Sequence, residues 1–535
     1  MSASQSEAPP HTQQLPLPLD DFMSRAPGPG IPRPTRVFCN RNLKLSGISW
    51  IGFDMDYTLA IYDQPAMDDL SIRATIAKLI KRGYPDFIQT VPVSTQFPVR
   101  GLLIDKRFGH VLKMDRYKHV HKGYHGFREL TKEELRALYH SKKIRPATPR
   151  YHWIDTLYAL SEVATYAALV DAMEKKGYAV DYAKLFTDIR ECIDEAHRDG
   201  TILDEVMNNL PHFVHRDTNL APALHKLRSA GKKLFLLTNS RAAYTEKMMT
   251  YLLGGAMSEY PHWKNFFDVV IVAATKPVFF TERRPLLERD GEMTKPAVPP
   301  LERGKIYEGG NLLDVERMLG ATGDEVLYVG DHIYGDILRS KKDSAWRTVM
   351  IMQELETEIA AYESCKDDFG AIEVLDDQRE HLEDDLRYYQ ARIKELTRTI
   401  EHAGGGRARN DGSSRDLAAV AAASVAPVVA ERPAPGTSTP ELEADRMRFK
   451  RAVERIRGKL RQIDAEITAM ERRIDLRFHP YWGSLLKEGA EQSSFGKQVD
   501  DYACLYTSRV SNFLAYSPQQ TFRSPRDVMA HEIGM

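Results

Sequence analysis

Cysteine is scarce in this sequence, and long apolar runs are missing altogether. The 535 residues include only four cysteines, at Cys39, Cys192, Cys365 and Cys504. They are far apart and form no CxxC pair, which argues against a disulfide framework and against a cysteine-based zinc site. Such cysteine usage suits a reducing compartment, so we expect a cytoplasmic location.

The sequence also lacks a membrane segment and any excess of charge of one sign. No apolar run reaches the roughly 18 residues of a membrane-spanning helix, and the N-terminus has no basic-then-apolar signal pattern. With 74 basic and 75 acidic side chains, the net charge is −1. This balance offers no general attraction to nucleic acid or to a membrane surface, so we expect neither as a partner.

The length of the chain predicts at least two folded units with ample apolar core. A chain of 535 residues exceeds the usual size of one domain. Residues 1–35 are rich in Pro, Ser and Gln, a composition that predicts a disordered N-terminal arm. We therefore expect the folded part of the chain to begin near residue 36.

The most informative segment places two carboxylates where an apolar run ends. Residues Ile48 to Phe53 form the run, and Asp54 and Asp56 follow it directly. If the run is a buried strand, the two aspartates point the same way from its carboxyl end, where ligands bind in open α/β sheets. One aspartate can attack phosphorus while the other moves protons. A solvated Asp-x-Asp turn is the plain alternative.

Two further predicted strands end in groups that suit a phosphate. Lys233–Leu237 leads into Thr238-Asn239-Ser240, a cluster of hydroxyl and backbone N–H groups. Val269–Val272 leads to Lys276, a cation that can neutralise both a nucleophile and a phosphate. A helix cap and a solvated loop lysine are the plain alternatives. We predict that both segments contribute to phosphate binding.

A fourth predicted strand supplies acidic groups. Val326–Val329 is followed by Gly-Asp331-His-Ile-Tyr-Gly-Asp336, whose carboxylates suit a hard cation such as Mg²⁺. Gly-Asp is also an ordinary turn pair. Four such segments in order, each at a strand end, favour a phosphoryl-transfer site over four unrelated turns.

This ordered set resembles the motifs of the haloacid dehalogenase superfamily and, within it, the cytosolic purine 5′-nucleotidase family. The resemblance covers most of residues 36–365 and 478–532. Its motifs are Phe53 to Leu59, Leu237 to Ser240, Lys276 to Phe280, Tyr328 to Lys342, Arg100 to Asp105, Gly309-Gly310, Tyr502 to Tyr506 and Phe522-Arg523.

The resemblance implies a mechanism and a metal site. Asp54 is the implied nucleophile and forms an aspartyl-phosphate, while Asp56 is the implied acid and base. Mg²⁺ is implied to bind Asp54, the carbonyl oxygen of Asp56 and Asp331, with Asp336 ordering water around the metal. Lys276 and Thr238, with the neighbouring Asn239 and Ser240, are implied to hold the phosphoryl oxygens.

About 180 residues separate Asp54 from Thr238, which predicts an inserted cap domain. Arg190, Asp194 and His197 lie at i, i+4 and i+7 of one predicted helix and share a face. A surface ion pair with a helical histidine is the alternative. The family likeness implies that Arg190 and Asp194 grip the purine ring, that His197 lies beside it and that Tyr158 stacks on the base. We predict that these four residues and Arg198 bind the substrate.

Two positions in the cap depart from the family pattern. The asparagine that follows the family's aromatic residue is Ala159 here, and a nucleotide-binding lysine aligns with Leu203. Losing a polar group and a cation from the pocket changes base preference or weakens nucleotide binding.

Two charged segments near the C-terminus carry heptad spacing. Apolar residues recur at threes, fours and sevens from Leu375 to Ile400 and from Phe449 to Ile474. We predict two helices, each roughly 40 Å long at ~1.5 Å per residue, that form a coiled-coil hairpin. An intermolecular coiled coil is the alternative. Residues 403–440 between them are rich in Gly, Ala, Pro and Ser and predict a disordered linker.

We therefore predict a doubly wound, Rossmann-like parallel sheet core with an inserted α/β cap and an α-helical coiled-coil arm. The predicted units are the core at 36–70 and 215–370, the cap at 71–214, the hairpin at 371–476 and a C-terminal segment at 477–535 that returns to the core.

The predicted activity is Mg²⁺-dependent hydrolysis of nucleoside 5′-monophosphates, purine ones foremost. Phosphotransfer to a nucleoside, hydrolysis of another small phosphate ester and a scaffold without catalysis are the alternatives. The arm predicts a homo-oligomer, a dimer or a tetramer. The basic run from Arg339 to Lys342 predicts a nucleotide effector site, with a solvated helix end as the plain alternative.

Overall fold

The structure is a computed structural model, and it describes residues 30–140, 144–340, 344–403 and 438–525. The predicted N-terminal arm lies outside these ranges except for residues 30–35, where Arg33–Thr35 forms a single 3-10 turn.

The described chain forms the following strands, in chain order: β1 (Phe38–Cys39), β2 (Leu43–Lys44), β3 (Trp50–Phe53), β4 (Ile61–Tyr62), β5 (Leu102–Asp105), β6 (His110–Met114), β7 (Val120–His125), β8 (Arg128–Glu129), β9 (Tyr151–Ile154), β10 (Val214–His215), β11 (Lys233–Leu237), β12 (Val269–Val272), β13 (Leu286–Asp290), β14 (Met293–Pro296), β15 (Ile306–Gly309), β16 (Val326–Gly330), β17 (Arg347–Ile351), β18 (Lys487–Glu488), β19 (Glu491–Gln492), β20 (Leu505–Thr507) and β21 (Thr521–Phe522).

The α-helices, in the same order, are α1 (Gln64–Lys81), α2 (Lys132–Tyr139), α3 (Leu160–Lys175), α4 (Tyr182–Arg198), α5 (Thr201–Asn208), α6 (Leu210–Phe213), α7 (Leu220–Ser229), α8 (Ala242–Leu253), α9 (Val278–Thr281), α10 (Leu312–Leu319), α11 (Leu355–Ser364), α12 (Lys366–Ala403), α13 (Thr439–Phe478) and α14 (Ser494–Tyr502).

A ten-stranded sheet forms the core, in the order β1-β20-β17-β16-β3-β11-β12-β15-β13-β14. The seven strands from β20 to β15 are parallel, and β1, β13 and β14 add antiparallel edges. From β3 the chain first builds outward through β11, β12 and β15, and later places β16, β17 and β20 on the other side. The order therefore reverses beside β3, which is where ligands bind in such sheets. The predicted α/β fold class with a parallel sheet core is confirmed.

Apolar packing on both faces explains why the central strands are almost wholly hydrophobic. Alternate residues of β11 belong to two separate clusters, Leu234 and Leu236 to one and Phe235 and Leu237 to the other. Gly52 in β3 is required by this packing, because a Cβ atom there would lie 2.1 Å from the Phe235 ring. The strand that precedes the two aspartates is thus packed closely against β11.

The region between β4 and β10 contains a second sheet, antiparallel and five-stranded, in the order β8-β7-β6-β5-β9. One face packs on α2, through Leu103 and Leu112 against Leu135. The other face contributes Leu102 and Ile104 to the large apolar cluster that also includes residues of β3 and β11. The cap and the core are therefore joined by continuous apolar packing.

The predicted unit boundaries fall inside regular elements. The boundary at residues 70/71 lies within α1, and those near residues 214, 370 and 476 lie within β10, α12 and α13. Helix α1 packs on the cap helix α4, since Lys78 binds Glu195 at 2.9 Å. We accordingly propose that the cap unit begins with α1, near residue 64.

The two C-terminal helices are longer than predicted. Helices α12 and α13 have 38 and 40 residues, or about 57 and 60 Å at ~1.5 Å per residue. The excess arises because both continue beyond their apolar repeats. They run antiparallel, since Arg473 binds Asp368 at 2.9 Å and the Tyr389 and Phe449 rings lie 5.6 Å apart.

The first of these helices ends at Ala403 and the second begins at Thr439, so the predicted linker 403–440 lies almost wholly outside the described residues. The supercoiling of the pair stays a prediction. In the part of the chain that the structure describes, no helix has both the length and the apolar character of a membrane span.

Candidate active site

The four polar segments predicted at strand ends meet at one edge of the core sheet. Asp54 N donates to the Val329 carbonyl at 2.9 Å, and Thr238 N donates to the Ile271 carbonyl at 3.0 Å. These bonds extend the sheet ladder just beyond β3 and β11, and they fix where each loop begins. Because β16, β3, β11 and β12 are neighbours, their loops converge beside the point where the strand order reverses.

Lys276 lies at the centre of this edge and is 8 % exposed. Its Nζ is 2.9 Å from Asp54 Oδ1 and 2.7 Å from Asp336 Oδ1, and it donates to the Tyr328 hydroxyl at 2.7 Å. Burial by itself lowers the pKa of Lys276, but the Asp336 and Asp54 carboxylates more than offset that effect and raise the pKa well above its usual range. The ammonium therefore stays charged between the two carboxylates.

Carboxylate oxygens of Asp54, Asp331 and Asp336 lie within 4.8 Å of one another. Burial raises the pKa of Asp54 well above its usual range and that of Asp331 to about 7, and the neighbouring carboxylates add to both effects. Three carboxyl groups share one lysine, and the raised pKa values show that several negative charges at this buried site are unfavourable without a further cation. An all-oxygen donor set of this charge fits a hard divalent cation, and Mg²⁺ is the cation that the sequence predicted.

Asp336 also contacts the backbone of its own loop. Its Oδ2 accepts a hydrogen bond from His332 N at 3.3 Å, while its Oδ1 is held by Lys276. The loop continues as a π-helix over Ile333–Leu338. Lys341 and Lys342 of the predicted effector segment lie outside the described residues, and Arg339 within that segment donates to the Tyr334 hydroxyl at 2.5 Å.

Asp56 is held by two hydroxyl groups. Tyr62 donates to Oδ1 at 2.6 Å and Ser240 donates to Oδ2 at 2.6 Å, and the Tyr62 and Tyr244 hydroxyl oxygens are 2.8 Å apart. Loss of hydration raises the pKa of Asp56, and the bonds from Ser240 and Tyr62 oppose that rise because they favour the anion. Asp56 therefore has a fixed orientation, separate from the Asp54 cluster.

The predicted phosphate-binding triplet has three different sets of partners. Thr238 Oγ1 accepts from Ser240 N at 3.1 Å, and the Ser240 hydroxyl is directed to Asp56. The Asn239 side chain clamps the backbone of Lys276, since Nδ2 donates to its carbonyl at 3.0 Å and Oδ1 accepts from its N–H at 2.6 Å. Asn239 thus fixes the start of the Lys276 loop.

A row of aromatic rings from the core and the cap links Asp56 to the predicted base-binding residues. The Tyr57 ring lies 4.8 Å from that of Tyr62 and 5.6 Å from that of Tyr158, and Tyr158 lies 4.8 Å from His197. Tyr57 has φ of +57°, a strained conformation for a tyrosine that turns its ring into this row. Burial lowers the pKa of His197 to about 4, so its imidazole is neutral near pH 7.

Arg190 pairs with a carboxylate that the sequence analysis did not select. Its Nε is 3.4 Å from Glu162 Oε2. Burial raises the pKa of Glu162 to about 7, with Arg190 opposing the rise and Asp194 adding to it. Arg198 is exposed and its Nε bonds the Asp194 carbonyl of its own helix at 3.2 Å, so it does not join this group.

The two departures from the family pattern are apolar in the structure as well. Ala159 is 7 % exposed, and Leu203 packs against the large core cluster. Neither residue supplies a polar group to the cap.

Several residues at the site had no strong signal in the sequence. Tyr62 and Glu162 contact the predicted residues Asp56 and Arg190, and Tyr244 contacts Tyr62, but none of the three belongs to a polar strand end. His332 Nε2 lies 3.2 Å from Asp155 Oδ2 and so joins the core loop to the cap. His332 lies within the quoted Tyr328 to Lys342 motif and Tyr62 follows the Phe53 to Leu59 motif closely, but neither had been assigned a role.

Comparison with known proteins identifies relatives of this chain. The chain is 31 % identical over 340 residues to human 5′-nucleotidase domain-containing protein 2, covering 61 % of this chain and 64 % of that protein. It is 30 % identical over 374 residues to a 5′-nucleotidase domain-containing protein of Dictyostelium discoideum, covering 68 % and 62 %. The chain thus spans less than two thirds of the length of these relatives.

A solved structure of a predicted phosphoglycolate phosphatase from Haemophilus somnus also matches. It covers 57 % of this chain and 86 % of its own at 13 % identity, with a TM-score of 0.25, a likeness too partial to carry an argument. The sequence profile of the 5′ nucleotidase family, in contrast, matches residues 37–534. The protein therefore belongs to the 5′ nucleotidase family, as its motifs predicted.

Proposed function

We propose that this protein is a Mg²⁺-dependent 5′-nucleotidase that hydrolyses nucleoside 5′-monophosphates, purine ones foremost, through an aspartyl-phosphate. One observation carries the proposal. Lys276 binds Asp54 at 2.9 Å within an acidic cluster, while Asp56, two residues along the chain, is held apart by Tyr62 and Ser240. This arrangement supports two aspartates with two different roles.

In the first step, an oxygen of the Asp54 carboxylate attacks phosphorus and the bond from phosphorus to the nucleoside 5′ oxygen breaks. The departing oxygen takes a proton from Asp56, which starts the step protonated. Loss of hydration raises the pKa of Asp56, which favours that protonated form. Lys276 offsets the charge that gathers on the phosphoryl oxygens, and the Thr238 hydroxyl orients them.

In the second step, Asp56 is a carboxylate and takes a proton from water. The water oxygen attacks phosphorus, the bond from phosphorus to Asp54 breaks, and phosphate leaves. The hydrogen bonds from Tyr62 and Ser240 to Asp56 stabilise the anion that this step needs. Both aspartates are then restored to their starting forms.

Asp54, Asp331 and the carbonyl oxygen of Asp56 would hold the Mg²⁺ ion, with Asp336 close to it. A bound cation of this charge would neutralise the attacking carboxylate and a phosphoryl oxygen together.

Base recognition belongs to the cap. A purine ring would lie against Tyr158 and His197, with its polar edge toward Arg190 and Asp194. The Tyr158 and His197 rings pack together with 4.8 Å between centroids, which supports an aromatic surface next to charged groups. Ala159 and Leu203 provide no polar contact, so we expect weaker discrimination between bases than a more polar pocket gives.

The proposal extends to assembly and location. The long helical arm favours a homo-oligomer, a dimer or a tetramer, and the cysteine usage favours the cytoplasm. Size-exclusion chromatography with light scattering on the purified chain tests the first point. A monomer at all concentrations would contradict it.

Phosphate release from a panel of nucleoside monophosphates, with Mg²⁺ and with or without added nucleoside, tests the activity. Asp54→Asn keeps the shape of the side chain but removes the nucleophile, so kcat should fall by about a thousandfold or more. Asp290→Asn, at an exposed turn of the sheet edge, is the matched control and should behave as the wild type.

Three results would change the conclusion. Residual activity within about tenfold of wild type in Asp54→Asn would exclude the covalent route. Phosphorylated nucleoside in place of free phosphate would make the protein a phosphotransferase. Release from simple esters with none from nucleotides would assign another phosphate ester as the substrate.

A further inference from the structure

The Arg100-Gly-Leu-Leu-Ile-Asp105 motif belongs to the family resemblance, yet the proposed mechanism leaves it without a role. Arg100 comes just before β5 in the cap, and its side chain is fully buried. A buried guanidinium costs free energy unless all its donors are matched, so its partners identify the reason for its position.

Those partners lie in the core and not in the cap. Arg100 Nη1 donates to the Asp331 backbone carbonyl at 2.9 Å. Nε and Nη2 form a bidentate pair with Glu354 at 2.7 and 2.6 Å. The guanidinium also lies 5.0 Å from the centre of the Phe495 ring, on α14. One side chain thus joins the loop of a predicted metal ligand to the start of α11 and to the C-terminal segment.

Local backbone geometry supports this position. Gly101 has φ of +86°, and a Cβ atom there would lie 2.5 Å from Phe495 Cβ. Any other residue at 101 would push α14 away from Arg100. The Arg-Gly pair therefore permits the close packing of cap, core and C-terminal segment on which the contact with Asp331 depends.

The loop that Arg100 holds carries the acidic cluster. Asp331 is 5 % exposed and lies against Asp54 and Asp336, whose like charges push it outward. A hydrogen bond from a cation to its backbone carbonyl fixes the peptide from which the side chain projects. The planar guanidinium group of Arg100 donates to this carbonyl and to both Glu354 oxygens at the same time. A lysine ammonium cannot form the same set of hydrogen bonds.

We propose that Arg100 is a positioning residue that holds Asp331 ready for Mg²⁺ and ties the metal loop to the start of α11, the helix leading into the arm. This rests on the proposed function only in that the acidic cluster must bind Mg²⁺. Groups that orient metal ligands from one shell out commonly change metal affinity by 10- to 100-fold.

The same strand offers a matched control. Asp105, at the other end of β5, forms an equally close bidentate pair with Arg150, at 2.8 Å to Nε and a further bond to Nη2. That pair lies within the cap, and the hydrogen bonds described for Asp105 all come from cap residues. Arg150→Lys therefore removes a comparable buried bidentate pair without touching the Asp331 loop.

Calorimetric titration of Mg²⁺ into the full-length protein without nucleotide is the test, with circular dichroism to show that each variant is folded. We expect Arg100→Lys to weaken the Kd for Mg²⁺ by about 10-fold or more, and Arg150→Lys to leave it within about twofold. At saturating Mg²⁺, the KM for nucleotide should stay near the wild-type value in both variants.

Glu354→Gln keeps the inference testable if Arg100→Lys does not fold. This variant keeps Arg100 and its bond to the Asp331 carbonyl and weakens only the pair with position 354. We therefore expect it to weaken Mg²⁺ binding less than Arg100→Lys does. An unchanged Kd in the folded Arg100 or Glu354 variant, or an equal loss in Arg150→Lys, would overturn the inference. Absence of Mg²⁺ binding by the wild type would instead refute the metal site itself.

Discussion

Tyr62→Phe isolates one hydrogen bond at the reacting end of the site. The hydroxyl donates to Asp56 Oδ1 at 2.6 Å, and the side chain is 3 % exposed. Phenylalanine keeps the ring, which packs on Tyr57 with 4.8 Å between centroids, so the fold should be retained. The substitution leaves Ser240 as the remaining hydroxyl donor to the Asp56 carboxylate in the described structure.

The size of the effect follows from the charge of the acceptor. A hydrogen bond to a charged group contributes about 1.5–3 kcal/mol, which corresponds to about a 10- to 150-fold change in rate. Because Tyr62 favours the anionic form, its loss should also raise the pKa of Asp56. The step in which Asp56 accepts a proton needs that anion, so the acid limb of the pH profile should move to higher pH.

Steady-state kinetics on a nucleoside monophosphate and on p-nitrophenyl phosphate, across pH, measure this prediction. Both substrates should lose kcat to a similar extent, because Asp56 contacts the reacting atoms and not the base. Tyr244→Phe is the matched control, since its hydroxyl contacts Tyr62 and not Asp56, and its effect should be smaller. A Tyr62→Phe enzyme with wild-type kcat and an unmoved pH profile would refute the reasoning.

Two other substitutions and one deletion test the cap, the pH dependence of stability and the arm. Arg190→Ala should raise the KM for nucleotides by about 10-fold or more and leave the KM for p-nitrophenyl phosphate nearly unchanged. The control Arg198→Ala, at an exposed position, should change neither KM. Equal effects of Arg190→Ala on both substrates would show that the pair of Arg190 with Glu162 is structural. Burial raises the pKa of Asp68 to about 7, above its unfolded value, so this carboxyl destabilises the fold progressively as pH rises from about 4 to 7. Asp68→Asn should therefore raise the free energy of unfolding at pH 8 by at most about 4 kcal/mol and much less at pH 4.5. Urea titrations measure this change, with Asp69→Asn at an exposed position as the control. An equal change in the free energy of unfolding at both pH values would contradict the raised pKa of Asp68. The arm can be shortened by replacing residues 380–463 with a short Gly/Ser link between Arg379 and Asp464, whose Nη1 and Oδ1 atoms lie 4.0 Å apart. This deletion should preserve phosphate release and alter only assembly. A soluble but inactive deletion variant would show that the arm supports the site.

The order of the motifs along the chain was enough to predict the layout of the site. Short apolar runs that end in polar groups predicted β3, β11, β12 and β16, because a strand buried on both faces is hydrophobic throughout. Since the carboxyl ends of parallel strands share an edge, the convergence of Asp54, Thr238, Lys276 and Asp331 followed from their order along the chain. Heptad spacing likewise predicted the two long helices, because this spacing concerns residues that are close in sequence and lie on one face of the same helix.

The partner of each polar group, in contrast, depends on packing between segments that are distant in the sequence. Ser240 bonds Asp56 across 184 positions, Asn239 clamps the Lys276 backbone across 37, and Arg100 reaches the Asp331 carbonyl across 231. Arg198 turns back along its own helix, although it is next to His197 in the sequence. A hydrogen bond depends on the angle at the donor and on a distance within a few tenths of an ångström. Both are set by how the cap, the core and the C-terminal segment pack together. Sequence spacing therefore selects the residue types that gather at the sheet edge, and packing between distant segments assigns their contacts.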